Sequence, residues 1–160
     1  MISKYRAWDV LAEEMIDEIL MISFVRKEII GKFSDDSTSV PLKFEDKRNG
    51  EDVILMQSTG LFDRNGKEIF EGDVLKFNDE WAEYCHEGYV DGSVEGINFV
   101  EVVRGEACFE FGKTRYPESS LFIRMEDERL TFAELIKSRD FEFEIIGNIF
   151  ENQELLEDKE

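Results

Sequence analysis

The feature that most restricts what this chain can fold into is a succession of short apolar runs cut by glycine-containing turns. "GDVLKF", "GYVDGSV", "INFVEVV" and "ACFEFG" follow one another between Gly72 and Gly112. Runs of this length suit strands and leave little room for the helices of a parallel sheet, so a sandwich or small barrel is expected. Asp91-Gly92 is a hairpin signal, and Arg104-Gly105-Glu106 supplies a turn after the alternating "FVEVV". Gly88, Gly92 and Gly96 read as turn residues, because a phosphate cradle would need a helix start and a cation immediately after them and neither is present.

The rest of the chain adds a few elements to this β-rich body. "MISKYRAWDV" reads as one short strand. In "LAEEMIDEILMISFVRKEIIGKF" the spacing of Leu11, Met15, Ile19 and Ile22 is helical at first, and from Met21 the β-branched and aromatic content makes a strand equally good. "SDDSTSVP" is a loop, Asn49-Gly50 a tight-turn signal, and "DVILMQ" a buried strand. Thr131 with Glu134 forms a capping box at the head of "TFAELIKS", predicting a helix near 131–138. "FEFEIIGNIF" predicts a strand with a bulge near Gly147, and the tail one helical turn from Asn152.

Length and composition fit a folded protein. At 160 residues the chain suits one domain, or one domain with an appendage. Hydrophobic residues at 42%, with fourteen Phe, supply enough apolar surface to offset chain entropy despite 36% charged residues. The expected organisation is an N-terminal strand/helix segment over residues 1–48, with a boundary between Ser34 and Asn49. A β-barrel body over 49–152 and a frayed acidic tail over 153–160 complete it. No stretch reads as a signal peptide, and none approaches the roughly 18 apolar residues of a membrane span. Cys85 and Cys108 are too few for a disulfide framework, so both are expected as free thiols in a reducing cytoplasm.

Candidate chemistry is sparse. His86 is the single histidine, which removes most zinc constellations and any site needing two imidazoles. "YCHEG" sets Cys85 beside it, but a nucleophile and its base normally meet across a fold rather than along the chain, so a polar loop is expected. Cys108 reads as a core residue of an apolar strand. Acidic neighbours such as Glu13-Glu14, Asp35-Asp36, Asp79-Glu80 and Glu126-Asp127-Glu128 are so common that their proximity says nothing about acid–base catalysis. Aromatic residues near bases, Tyr5, Arg6 and Trp8 and again Arg115, Tyr116, Phe122 and Arg124, suit a stacking platform for single-stranded nucleic acid or a packed core. The 38 acidic against 19 basic residues give a net charge of −19, which opposes a phosphate backbone. A solvated acidic surface, or an acidic mimic of DNA that engages a basic protein, suits that charge better.

Three separated motifs carry a family resemblance. "KYRAWD" near the start, "MQSTGLFDRNGKEIFEGDVLKF" in the middle and "IIGNIFENQELLE" near the end resemble the YopX family, found chiefly in phages and prophages of low-GC Gram-positive bacteria. Gln153 departs from the proline common there after Glu-Asn. The resemblance implies a mostly β, α+β fold with an SH3-like small barrel in the C-terminal body, self-association, and no established enzymatic activity, catalytic residue, cofactor or metal. The residues recurring in the motifs, Trp8, Gly60, Asn65, Gly66, Gly72, Asp73, Gly147 and Asn148, are mostly of the kinds that turns and caps require. The expectation is therefore a non-enzymatic binding or assembly module engaging itself or a host or phage protein, with no membrane partner. The alternatives are a nucleic-acid-binding barrel, an acidic DNA mimic, and a carboxylate hydrolase with a divalent metal.

Overall fold

In the computed structural model the described residues are 4–46, 48, 50–84 and 90–157, with the backbone alone for 81–84 and 90–94. Strand accounts for 47% of the chain and helix for 13%, which makes the fold β-rich as expected. Two compact units divide it, Met1–Gly60 and Leu61–Glu160.

The first unit is built from strands throughout. β1 (Tyr5–Asp9) pairs antiparallel with β2 (Glu14–Ile16) on one side and with β6 (Val53–Phe62) on the other. β3 (Glu18–Ser23), β4 (Glu28–Lys32) and β5 (Leu42–Lys43) form a second antiparallel sheet. The helix that the Leu11–Ile22 spacing allows does not form. Asp9 closes a tight turn by accepting the Ala12 N–H, Leu11 lies 95% exposed at its tip, and Ile16 and Ile19 enter the core from two different strands. Cross-strand packing of β-branched side chains outweighs a helical spacing carried by so few residues. Ala7, Ile16, Ile29, Phe44 and Val53 make one core, so the chain on both sides of the polar 34–50 stretch belongs to one unit that runs to Gly60. The loop between β4 and β5 is tied down where Ser39 Oγ accepts the Gly31 N–H at 3.0 Å.

Gly31 stands where a side chain has no room. A Cβ there would overlap Ile16 Cγ2 and lie 3.2 Å from the Glu18 carbonyl oxygen, and the latter is backbone that cannot swing away. Gly31→Ala is expected to destabilise the first unit by about 1–3 kcal/mol through overpacking, read as a lowered denaturation midpoint.

The second unit holds one four-stranded antiparallel sheet, a further strand and two short helices. β8 (Asp73–Tyr84), β9 (Val90–Arg104), β10 (Phe109–Thr114) and β11 (Glu144–Asn148) form the sheet in the order β10-β9-β8-β11, and β7 (Glu68–Phe70) pairs instead with β6. β6 and β7 form a hairpin around Asp63-Arg64-Asn65-Gly66, and a second turn at Glu71-Gly72 leads into β8. Asp63 Oδ1 accepts the Asn65 and Lys67 N–H groups, and Gly66 has φ +80°. α1 (Ser120–Asp127) and α2 (Phe132–Lys137) lie between β10 and β11. α2 carries the full Thr131–Glu134 capping box, and β11 shifts register between Ile145 and Gly147 as its sequence predicts. A 3-10 turn, Gln153–Leu156, follows, and Leu156 is buried, so the tail is anchored over these residues.

Two turn expectations fail for one reason. Asp91, Gly92 and Gly96 lie inside β9, opposite β8: Glu83 pairs with Gly92 and Asp79 with Gly96. The hairpin is longer than its glycines suggest. Gly88, with Cys85 and His86, lies outside the described residues, as does Asn49. Cys108 is exposed rather than buried, because it sits in the turn where the Gly105 N–H donates to its carbonyl at 2.8 Å.

Packed rings dominate this unit's core. Phe143 stacks on Phe111 at 5.3 Å between centroids and touches Phe77 and Phe141, while Phe111 meets Phe132 at 4.6 Å. Ile69, Leu75, Val100, Val102, Leu121 and Leu135 complete it with no exposure.

Candidate functional site

β8 and β9 run past the rest of their sheet. β11 pairs with β8 only over Asp73–Lys76 and β10 with β9 only over Val100–Arg104, yet the β8/β9 ladder continues from Val74 to Tyr84. The result is a two-stranded ribbon extending beyond Asp79. At its foot α1 packs alongside, and the space between them opens into a cleft of about 680 Å³.

A buried polar network makes the floor of that cleft. Asp79, 5% exposed, accepts four hydrogen bonds. Oδ1 takes the Ser120 hydroxyl at 2.6 Å and the N–H groups of Glu80 and Ser120 at 2.8 and 3.0 Å, and Oδ2 takes Asn98 Nδ2 at 2.8 Å. Asn98, fully buried, also donates to the Tyr116 carbonyl at 3.0 Å and accepts from the N–H groups of Phe99 and Tyr116. Ser119 caps α1 by accepting the Leu121 N–H. This network fastens the start of α1 to the ribbon and satisfies every buried polar atom in it.

The walls are carboxylates over an apolar strip. Glu80 and Glu95 come from the ribbon, Asp127 and Glu128 from the end of α1, and Asp140 from the segment after α2; Ile97, Ile123 and Phe141 lie among them. Among the described residues Arg124 is the one cation in the lining. Its guanidinium sits 5.2 Å over the Phe141 ring, donates from Nε to Glu128 at 2.8 Å and from Nη2 to Asp140. Glu128 and then Asp140 raise its pKa above the ordinary arginine value by accepting these bonds. Among the described residues Glu80, Glu95 and Asp127 have no ion-pair partner. The sequence holds no Lys or Arg from Phe77 through Val103, so the ribbon contributes negative charge alone. Such a surface attracts cationic groups and repels phosphate.

The residues of the sequence motifs are elsewhere. Asn65, Gly66, Gly72, Asp73, Gly147 and Asn148 come together where the two turns meet β11. Asp63 Oδ2 accepts the Ile145 N–H, Asn65 Nδ2 donates to Glu144, Asp73 pairs with Asn148, and the Gly72 carbonyl accepts the Ile149 N–H. Asp73 Oδ2 accepts the Phe70 N–H, and Asn148 Oδ1 accepts those of Phe150 and Glu151. A Cβ on Gly147 would overlap Asn152 Oδ1. Trp8 and Gly60 belong to the first unit, Trp8 opposite Met15 and Ile54, and Gly60 at φ +74°. Of the stacking candidates, Arg115 lies 4.9 Å over Phe99 and donates to the Glu157 carbonyl, and Arg124 is held in the acidic cleft.

At the joint of β8 and β11, Lys76 lies 3.0 Å from Glu144 and holds its carboxyl below the usual glutamate range, with Asn65 adding a hydrogen bond. The pairing therefore contributes fully above the unfolded glutamate pKa and fades as pH falls through the folded value. Lys76→Met is expected to move the Glu144 titration upward, checked by carboxyl NMR. A titration unchanged by the substitution would refute that cause.

Two β-rich units of antiparallel strands, the second with an acidic cleft and a turn cluster built on Asp63 and Asp73, define a small β-rich protein. The chain matches the family described as YopX protein over residues 4–157, and it belongs to that family. It is similar to the crystal structure of protein EF1440 from Enterococcus faecalis, at 28% identity and a TM-score of 0.55, over 96% of this chain and 97% of that one. No curated protein matches it. No helix among the described residues is long and apolar enough to cross a membrane.

Proposed function

We propose that this protein is a non-enzymatic, phage-type binding module whose second unit engages a basic segment of a host or phage protein. The observation that carries the reading is the cleft itself, where carboxylates of the ribbon and of α1 face one another over Ile97, Ile123 and Phe141. Its most buried acid, Asp79, has both oxygens committed to the framework, and the exposed acids are the ones left to meet a ligand. A second copy is a poor occupant, because two ribbons that each lack cations would repel. Nucleic acid is disfavoured by the same field.

The test is titration with a lysine- and arginine-containing peptide at low and at moderate salt. Micromolar binding that weakens with salt and is lost in Glu80→Gln/Glu95→Gln/Asp127→Asn supports the reading. Binding unaffected by the triple substitution contradicts it.

Self-association through the first unit is a second reading, favoured by β3 lying at a sheet edge with Leu20 and Met21 49% and 57% exposed. Light scattering that gives a strict monomer at micromolar concentration would exclude it.

A further inference from the structure

The ribbon leaves one row of backbone hydrogen-bonding groups open. On the side of β9 away from β8, the Phe99 carbonyl accepts the Arg115 N–H at 2.9 Å. Backbone groups alternate sides along a strand, so Ile97, Glu95 and Ser93 present their N–H and C=O groups on that same outer side. β10 has ended by then: its last pair with β9 is Thr114 with Val100, and the Tyr116 N–H turns to the Asn98 side chain. Among the described residues no hydrogen bond reaches the outward groups of Glu95 or Ile97. The corresponding edge of β8 is shut. Its Asn78 N–H donates to the Phe141 carbonyl at 2.9 Å, and its Glu80 N–H to Asp79 Oδ1 at 2.8 Å. A two-stranded ribbon is marginal alone in water, and a third strand along β9 is what this one lacks.

The register fixes the sign of the strand that fits. Glu80 and Glu95 stand directly opposite each other in the ladder, where like charges repel. Neither has an ion-pair partner among the described residues, and no Lys or Arg lies between Phe77 and Val103. A strand laid along β9 sets one of its residues opposite Glu95 on the same face, with Cβ atoms about 4.5–5.5 Å apart. A Lys or Arg there neutralises the pair; an acid adds a third like charge. Ile97, two residues along on that face and 46% exposed, offers the next same-face position an apolar neighbour.

We propose that the outer edge of β9 from Ser93 to Ile97 is a strand-addition site, taking an extended protein segment that carries a Lys or Arg and an apolar residue two positions apart. The proposal rests on the reading of the second unit as a receptor for a basic segment and specifies how that segment lies. Backbone bonds to the edge supply the affinity, and the Glu80–Glu95 pair selects the charge.

The probe is the blocked peptide Lys-Val-Lys-Val-Lys-Val, titrated calorimetrically into the full chain alongside two versions N-methylated on alternate residues, one on the lysines and one on the valines. Methylation keeps the charge and removes N–H donors from one edge of the extended peptide at a time. One methylated version is expected to bind roughly tenfold or more weakly than the parent, and the other about equally. Ile97→Pro removes an outward N–H and leaves the bonds to β8, so it should weaken the parent peptide by a similar factor, with circular dichroism establishing that the sheet is retained. If both methylated versions bind as the parent does, or both lose binding alike, strand addition is overturned while the basic-segment reading stands. If the parent does not bind, or its glutamate-for-lysine counterpart binds as tightly, both fall.

Discussion

Asp79→Ala is expected to cost the second unit about 3–4 kcal/mol, the sum of several hydrogen bonds to a charged acceptor and of buried partners left unsatisfied. The residue ties together the Glu80 and Ser120 amides, the Ser120 hydroxyl and the Asn98 amide, and Asn98 has no route to water. Asp79→Asn should recover little of this. Both oxygens accept, so an amide in either orientation turns one donor toward another, the Asn98 amide or the fixed N–H groups of Glu80 and Ser120. Urea denaturation of both variants, with hydrogen exchange across α1, measures the effect. A loss below about 1 kcal/mol for both would show that the network is not what holds α1 against the ribbon.

Phe143→Ala is expected to be comparably damaging, at about 3–5 kcal/mol. The ring is 2% exposed and touches Phe77, Phe111 and Phe141, so its removal leaves a cavity bounded by aromatic side chains that cannot collapse independently. Phe143→Leu should cost markedly less, since it refills part of that volume. Equal stabilities for the two variants would contradict the packing described.

What the sequence disclosed, and what it hid, divides by range. Local chemistry was legible: Thr131 with Glu134 announces α2, Asp63-Arg64-Asn65-Gly66 announces the hairpin, and the phase break at Gly147 announces the bulge, because each depends on residues a few positions apart. The cleft was not. Asp79 and Asn98 are joined by the register of a ladder whose length no single residue signals, and Asp91-Gly92, a good turn pair, lies inside it because the strands continue past them. α1 was missed since only Leu121 of it is buried, leaving no apolar periodicity, although Ser119 before an apolar run offered a capping signal. The N-terminal strands were ambiguous for a related reason. Their apolar positions satisfy a helical spacing until pairing with β1 and β4 is known. One signal for the site was available, the absence of Lys and Arg from Phe77 through Val103. Its meaning depended on α1 being placed beside that stretch.

The most direct test of the cleft is amide chemical-shift mapping of the labelled protein during titration with an arginine-containing peptide. The account predicts that the perturbed amides cluster at Asn78–Glu80, Glu95–Ile97, Ile123–Glu128 and Asp140–Phe141, with the first unit largely unchanged. Perturbations scattered over the acidic surface, or confined to the first unit, would contradict it.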